Sequence, residues 1–349
     1  MGIVCRIGLD IAKNYFQAHG VDKHGKQVFN KKLKRADVLP FFANLTSCLI
    51  GIEACGSAHY WARELRKLEA GHDVRLISPR HVKPFVINNK TDAADAKAIC
   101  EVVGRPSTCF VNIKTVEQQD LTAWQRMRER KVKERTALAN QIRALLYEQG
   151  LIIKQGIEHV RKELPYIYEN PDNNLSLQAR DYLSELYGEF VDCDALVVKY
   201  ESRIKMSVST DEACRRIQKI PGVGPITAAA IVAYVGCARH FNNSRSFAAY
   251  LGLTPREHSS GGKQKLLGIT KRGNSYIRSL LIQGAQTVMR PYLHKPPEQV
   301  EPRLRWMQGV AARRGWQIAS VALANKTARI IWALLARGEE YKPSVASVV

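Results

Sequence analysis

The 349-residue sequence predicts an α/β domain on a mixed sheet, a helical coiled-coil segment and a mainly α-helical C-terminal domain. Short apolar runs bounded by turn residues alternate with helix signals over residues 1–112. A long stretch without Gly or Pro opens residues 113–208. Residues 209–349 carry an Ala-rich helix and aromatics at helical spacings. Apolar residues make up 45% and charged residues 24%, a balance that excludes a disordered chain.

Val4-Cys-Arg-Ile-Gly-Leu-Asp10 reads as an apolar strand ending in an acid. Asn14–Val21 is a second strand, Asp22-Lys-His-Gly25 a turn, and Lys26–Leu33 a third strand returning antiparallel. Val38–Leu45 reads as a short helix that tolerates Pro40 in its first turn. Cys48–Glu53 is a strand that again ends in an acid, and Ser57 is positioned to cap a helix through Glu69. Val74–Ser78 is a strand stopped by Pro79. Thr91 or Asp92 opens a helix over Ala93–Val103, closed by Gly104 and Pro106. A hairpin pair followed by alternating helices and strands is the ribonuclease H arrangement of a mixed sheet.

In the middle, Thr115–Gln149 keeps Leu121, Trp124, Leu138, Ile142 and Leu145 at helical spacing, interrupted by the polar run 126–135. A second helix over about Leu175–Met206 follows a Pro165–Pro171 break. The pair reads as a coiled-coil hairpin, with a plain helical linker as the alternative. Ile220-Pro-Gly-Val-Gly-Pro225 before the helix Ile226–Val235 has the helix-hairpin-helix pattern. Its glycines, Gly222 and Gly224, permit a tight turn whose N–H groups can reach a phosphate; a packing turn is the other reading. Arg303–Leu335 reads as helical, with its tryptophans in the core.

The charge is one-sided: 53 Lys+Arg against 32 Asp+Glu give +21. Residues 211–349 hold 21 basic and 7 acidic side chains, so +14 of the excess lies there. No acid falls between Glu257 and Glu298, where Lys263, Lys265, Lys271, Arg272, Arg278, Arg290 and Lys295 accumulate. Such a surface fits a polyanion that gains by releasing counterions, so nucleic acid is the expected partner. Eight scattered cysteines without a CxxC suggest neither a zinc ribbon nor a disulfide framework. The opening Met-Gly-Ile-Val-Cys-Arg matches neither a signal peptide nor a myristoylation site. The longest apolar stretch, about Pro225–Ala238, is too short to span a bilayer, so no membrane partner is expected.

Four acids stand out by position. Asp10 and Glu53 each end a strand, and Asp92 and Asp95 lie three apart, on one face of a helix. Gathered carboxylates repel and raise each other's pKa unless a cation joins them. Hard divalent metal, bound through oxygen, is the simplest reason for the set. Two such ions about 4 Å apart serve an in-line phosphoryl displacement. Taken singly, each acid has an ordinary explanation, such as Asp92 as a helix N-terminal charge.

Gly8-Leu-Asp10-Ile-Ala-Lys13, Ile52-Glu-Ala-Cys-Gly56 and Asn89-Lys-Thr-Asp-Ala-Ala-Asp-Ala-Lys97 resemble motifs of the DEDD-type insertion-sequence transposases, whose N-terminal domain is RuvC-like. Ile220–Ala229, Phe247-Ala-Ala-Tyr-Leu-Gly-Leu-Thr-Pro-Arg256 and Ser259-Ser-Gly-Gly-Lys263 through Ile269-Thr-Lys-Arg-Gly-Asn274 resemble the same family's C-terminal domain. Six motifs in order cover nearly the whole chain. The resemblance implies that Asp10, Glu53, Asp92 and Asp95 bind two Mg²⁺ ions, which Mn²⁺ can replace. It implies that Ser260, with Ser259 as its neighbour, is a nucleophile forming a covalent phosphoserine intermediate.

The same resemblance implies further partners: double-stranded target and donor DNA, a structured guide (bridge) RNA, and further copies of the chain as a dimer of dimers. It implies a bacterial cytoplasmic setting associated with the nucleoid. Lys13, Lys90, Gly222, Gly224, Arg256, Lys263, Lys265, Lys271, Arg272 and Arg278 are the expected nucleic-acid contacts. Two other readings stay open: a metal-dependent nuclease or junction resolvase using water, and a non-catalytic helix-hairpin-helix binder.

Overall fold

The computed structural model describes residues 3–87, 89, 91–293, 295–300 and 302–342. The chain forms two compact units, Met1–Val116 and Glu117–Val349. The coiled-coil segment and the terminal helices, separate in the sequence reading, both fall within the second unit.

The first unit runs β1 (Arg6–Ile11), β2 (Tyr15–Val21), β3 (Gln27–Lys34), α1 (Val38–Ala43), β4 (Leu49–Glu53), α2 (Ala58–Arg66), β5 (Asp73–Ile77), α3 (Pro79–Val82), α4 (Asp92–Val103) and β6 (Phe110–Val111). Its six strands form one mixed sheet in the order β3-β2-β1-β4-β5-β6. The β1–β2 and β2–β3 pairs are antiparallel, while β1–β4 and β4–β5 are parallel. The β2–β3 turn closes on Asp22, whose carboxylate accepts from the backbone N–H of His24 and Lys26 at 2.9 and 3.0 Å. Gly25 takes the left-handed conformation there, at φ 81°.

Side-chain alternation separates two faces. Ile7, Leu9, Ile50 and Ile52 are fully buried in one cluster with Trp61 and Leu65 of α2 and Phe42 of α1. Each such residue stabilises by about 1.5–3 kcal/mol relative to exposure. The other face is covered by α4, with Ile99, Val102 and Val103 buried beside Ile77. Three expectations shift in detail. Ser57 precedes α2 but sits at φ 65° and makes no side-chain cap, and α2 ends at Arg66 instead of Glu69. Pro79 opens the short α3. The last strand, β6, is only two residues long and escaped the pattern.

The second unit contains α5 (Val116–Glu148), α6 (Ile157–Glu169), α7 (Leu177–Thr210), α8 (Glu212–Gln218), α9 (Pro225–Val235), α10 (Ser244–Tyr250), β7 (Pro255–Glu257), β8 (Leu266–Ile269), α11 (Ser275–Met289), α12 (Pro302–Arg314) and α13 (Trp316–Arg337). The long helices α5 and α7 are not joined by a simple Pro turn: α6 lies between them, with Pro165 inside it. The polar run in α5 marks where ion pairs tie α5 to α7. Arg128 bonds Glu201 at 2.6 Å, and Arg135 pairs with Asp194. Gln125, 1% exposed, donates to the Ile226 carbonyl and accepts from the Tyr276 hydroxyl, so this buried amide is satisfied.

The C-terminal helical stretch is two helices, because Gly315 at φ 85° breaks it before α13. Trp332 is in the core, whereas Trp306 is 43% exposed under the Lys326 ammonium. Among the described residues α13 alone is long and apolar enough to cross a membrane, in contrast to the sequence reading of Pro225–Ala238 as the longest apolar stretch. Its Ala319, Leu323, Ala324, Ala328 and Ile331 are buried in the core of this unit. All eight cysteines are free thiols.

Candidate active site

The acidic quartet is assembled by a sheet and one helix. In the parallel β1–β4 pair, Gly8 lies opposite Gly51 and Leu9 opposite Ile52, so the next step sets Asp10 beside Glu53. Period-two alternation puts both carboxylates on the same face as the two glycines. That face is where α4 packs. A Cβ on Gly8 would lie 2.0 Å from the Ala96 carbonyl oxygen, and one on Gly51 would lie 2.7 Å from the Val103 Cβ. The residue two before each strand-end acid is therefore glycine because the helix backbone occupies the space.

Thr91 caps α4, its hydroxyl accepting from the Ala94 N–H at 3.2 Å. Asp92 and Asp95 fall in the first turn, where carboxylates are favoured by the unsatisfied N–H groups. Asp10, Glu53 and Asp95 are half-buried and Asp92 is exposed. Burial, then Asp95, Asp92 and Glu53, push the Asp10 carboxyl up to about 6. Asp95, Asp92 and Glu53 thus each act on the Asp10 carboxyl. Among the described residues, however, no three His, Cys, Asp or Glu side chains stand close enough together to hold a metal ion as they are. The all-oxygen donor set and the uncompensated negative charge at Asp10 fit a hard divalent cation; a closed ligand shell would need the side chains to draw inward.

Two neighbours were not anticipated. Cys55, two residues after Glu53, is exposed, and its thiol is pushed up by partial desolvation, then by Glu53 and Asp10. His19, opposite Gly8 on β2, is 4% exposed with its Nδ1 unpartnered. Burial, then the Lys97 charge, holds it below the ordinary imidazole range. His19 has no sequence signature and is brought in by the strand register, whereas Cys55 follows Glu53 by two residues in the chain. Lys13 is exposed in the β1–β2 turn, and Lys90 lies outside the described residues.

Ser260 lies in the second unit, at the tip of the β7–β8 hairpin. A bridge pairs it with Lys263 across Gly261 and Gly262, whose φ values of 56° and 74° give the left-handed pair of a type I′ turn. The Ser259 hydroxyl donates to Glu257 Oε1 at 2.6 Å, and Gln264 donates to the same oxygen at 3.3 Å. These bonds hold the Glu257 carboxyl below its ordinary range. Ser260 is exposed and its hydroxyl has no hydrogen-bond partner among the described residues. The neighbouring serines therefore differ: Ser259 is engaged, and Ser260 is presented.

The expected nucleic-acid contacts divide likewise. Arg256, Lys263 and Lys265 are exposed on the hairpin, and Lys271 and Arg272 are exposed at its base. Arg278 instead turns inward, its guanidinium donating to the Leu251 carbonyl at 3.1 Å and the Arg272 carbonyl at 3.0 Å. It joins α11 to both ends of the hairpin. The same two segments interlock at Gly252 and Gly273, where a Cβ would lie 2.2 Å from the Arg272 oxygen and 1.9 Å from the Tyr250 oxygen. Gly222 is left-handed at φ 88° and crosses the backbone of Gly284, while Gly224 faces open space at the start of α9.

A family model described as "Transposase IS116/IS110/IS902 family" matches residues 214–298, and a DEDD-type IS110 model described as "Transposase" matches residues 7–149. The chain is 47% identical over 339 residues to a probable family 20 transposase of Pseudomonas aeruginosa, covering 97% of this chain and 98% of that protein. It is 44% identical to the transposase for insertion sequence element IS1111A of Coxiella burnetii, covering 96% and 91%. The transposase for insertion sequence element IS1328 of Yersinia enterocolitica is 37% identical, covering 96% and 98%.

Proposed function

The chain belongs to the IS116/IS110/IS902 family of insertion-sequence transposases, and from that premise we propose that it cuts and rejoins DNA strands with the Ser260 hydroxyl as nucleophile, beside the carboxylates of a RuvC-like domain. The observation that carries this reading is the contrast on the β7–β8 hairpin: Ser259 is bonded to Glu257, and Ser260 stands unengaged at the tip among Arg256, Lys263 and Lys265.

In the first half-reaction the Ser260 oxygen attacks the scissile phosphorus and gives up its proton. The bond from phosphorus to the leaving deoxyribose oxygen breaks, and that oxygen takes up a proton. The product is a serine–phosphate ester, with no energy-rich cofactor consumed. In the second half-reaction the hydroxyl of a new strand end attacks the ester, and serine leaves with its proton restored. The basic side chains of the hairpin bind the phosphate oxygens and oppose the charge that grows on them.

Asp10, Glu53, Asp92 and Asp95 would hold two Mg²⁺ ions, or Mn²⁺ in their place, which supply Lewis-acid neutralisation of phosphoryl charge when bound. A raised Asp10 pKa is what an acid awaiting such a cation would have. The surplus of +21 suits a protein that holds backbones of target DNA, donor DNA and a structured guide RNA, with base pairing supplying the sequence choice. Gly224, exposed at the start of α9, offers backbone N–H groups to phosphate in the helix-hairpin-helix manner. With the acids and the serine in separate units, a tetramer built as a dimer of dimers can combine them from different copies.

The test is a pair of variants assayed on DNA carrying the element's ends. Ser260→Ala should abolish strand exchange and cutting alike, and Asp10→Asn should do the same while both proteins still bind DNA. If the quartet used water alone, as in a resolvase, Ser260→Ala would keep cutting.

A further inference from the structure

The sheet register places a second feature beside the quartet. Asp10 pairs with Gln17 on β2, and Gln17 pairs with Lys32 on β3. With Glu53 beside Asp10, one row crosses four strands on one face, from two acids through an amide to a lysine. The next positions on that face are Tyr15 and its partner Lys34 in one direction, and His19 with its partner Asn30 in the other. α4 packs against β1 and β2. Asn30, Lys32 and Lys34 are exposed and Gln17 is half-buried. At about 4.8 Å per strand, Lys32 stands two strands, or about 10 Å, from Asp10.

The strip is chemically consistent. β2 and β3 contain no Asp or Glu. Lys32 and Lys34 form no ion pair among the described residues; the Lys32 ammonium rests 4.6 Å from the Tyr15 ring centroid. Gln17 donates to the Asn30 amide oxygen, and the two amides have further N–H groups to donate. Lysines and amides are the chemistry of sugar–phosphate contact.

We infer that Gln17, Asn30, Lys32 and Lys34 form a binding strip for the backbone of the DNA strand being cut, engaging the phosphates that flank the one at Asp10. This rests on the reading of Asp10 as part of the cutting site. A polyanion meets repulsion from the quartet and attraction from the β3 edge, so the edge recruits the strand and sets its direction across β1. Lysines on an edge strand also prevent edge-to-edge pairing of sheets. That role needs charge anywhere along the edge. Lys31, on the opposite face over the Phe41 ring, would serve it equally.

Binding of the full chain to a mixed-sequence DNA duplex with a single-stranded gap, and to RNA of the same sequence, is measured by anisotropy across a salt series without divalent metal. Lys32→Gln/Lys34→Gln should weaken DNA binding several-fold and reduce the slope of log affinity against log salt by about 2, one unit per lost phosphate contact. Lys32→Arg/Lys34→Arg should restore both, and Lys31→Gln should change neither. An unchanged slope, an equal effect from Lys31→Gln, or a loss confined to RNA would overturn the inference. Cutting is not read, so this outcome is independent of whether Ser260 forms an adduct.

Discussion

Gly8 and Gly51 face each other across the parallel β1–β4 pair, and α4 lies where both of their Cβ atoms would be. This close approach brings the first turn of α4, with Asp92 and Asp95, to the strand-end acids Asp10 and Glu53. The helix-to-sheet distance is thus set by two residues that carry no chemistry.

Gly8→Ala should destabilise the protein by about 3 kcal/mol or more, because the clash is with the backbone of Ala96 and Cys100. Gly51→Ala meets the Val103 side chain and should cost about 1–2 kcal/mol. Urea denaturation measures both. Gly8→Ala should also impair cutting under conditions where the variant is still folded, although all four acids remain.

The raised Asp10 pKa has a definite sign. Its carboxyl holds a proton more tightly in the folded protein, at about 6, than in the unfolded chain. Its contribution to stability is therefore full below the usual carboxylate range and is lost as pH rises through 6. In EDTA this group alone should lower the melting temperature between pH 4 and pH 7, and Asp10→Asn should flatten that part of the profile and melt higher at pH 7. Added Mg²⁺ should stabilise the natural protein at pH 7 and leave Asp10→Asn nearly unmoved.

Arg278 bonds two carbonyls at the hairpin base, so its removal should act through position. Arg278→Ala should lose about 1–2 kcal/mol of stability and slow adduct formation. DNA affinity and its salt slope should stay unchanged. A fall in the slope by about 1 would mark a phosphate contact instead.

Ser259→Ala removes the bond to Glu257 without touching Ser260. Strand exchange should persist, slowed by no more than a few-fold, as the type I′ turn at Gly261-Gly262 still holds the tip. Gly261→Ala, strained at φ 56°, should slow exchange more than Ser259→Ala does.

Much of the first unit was legible because its signals are local. Thr91 before Asp92 and Gly104 after Val103 bound α4 as the pattern anticipated. Strand-end acids two residues after a glycine are likewise a local signal. What stayed hidden depends on contacts distant in sequence. Nothing local says that Gln125 is satisfied by Ile226 and Tyr276, which let a polar residue sit inside α5. Pro165 reads as a break, yet α6 carries it, anchored by the buried Val160 and Leu164 in the turns before it. Arg278 reads as a phosphate contact because charge is visible in sequence and the inward turn of a side chain is not. Ser260 stood out only through family resemblance, since Ser-Ser-Gly-Gly by itself describes any tight turn.

In the proposed reaction the Ser260 hydroxyl becomes covalently joined to DNA. Peptide mapping by mass spectrometry, after quenching a reaction with DNA and digesting both polymers, tests it most directly. A nucleotide remnant on Ser260, absent from the Ser260→Ala and Asp10→Asn proteins, is the expected result. A remnant on Ser259 or any other residue, or strand exchange by the Ser260→Ala protein, would contradict it.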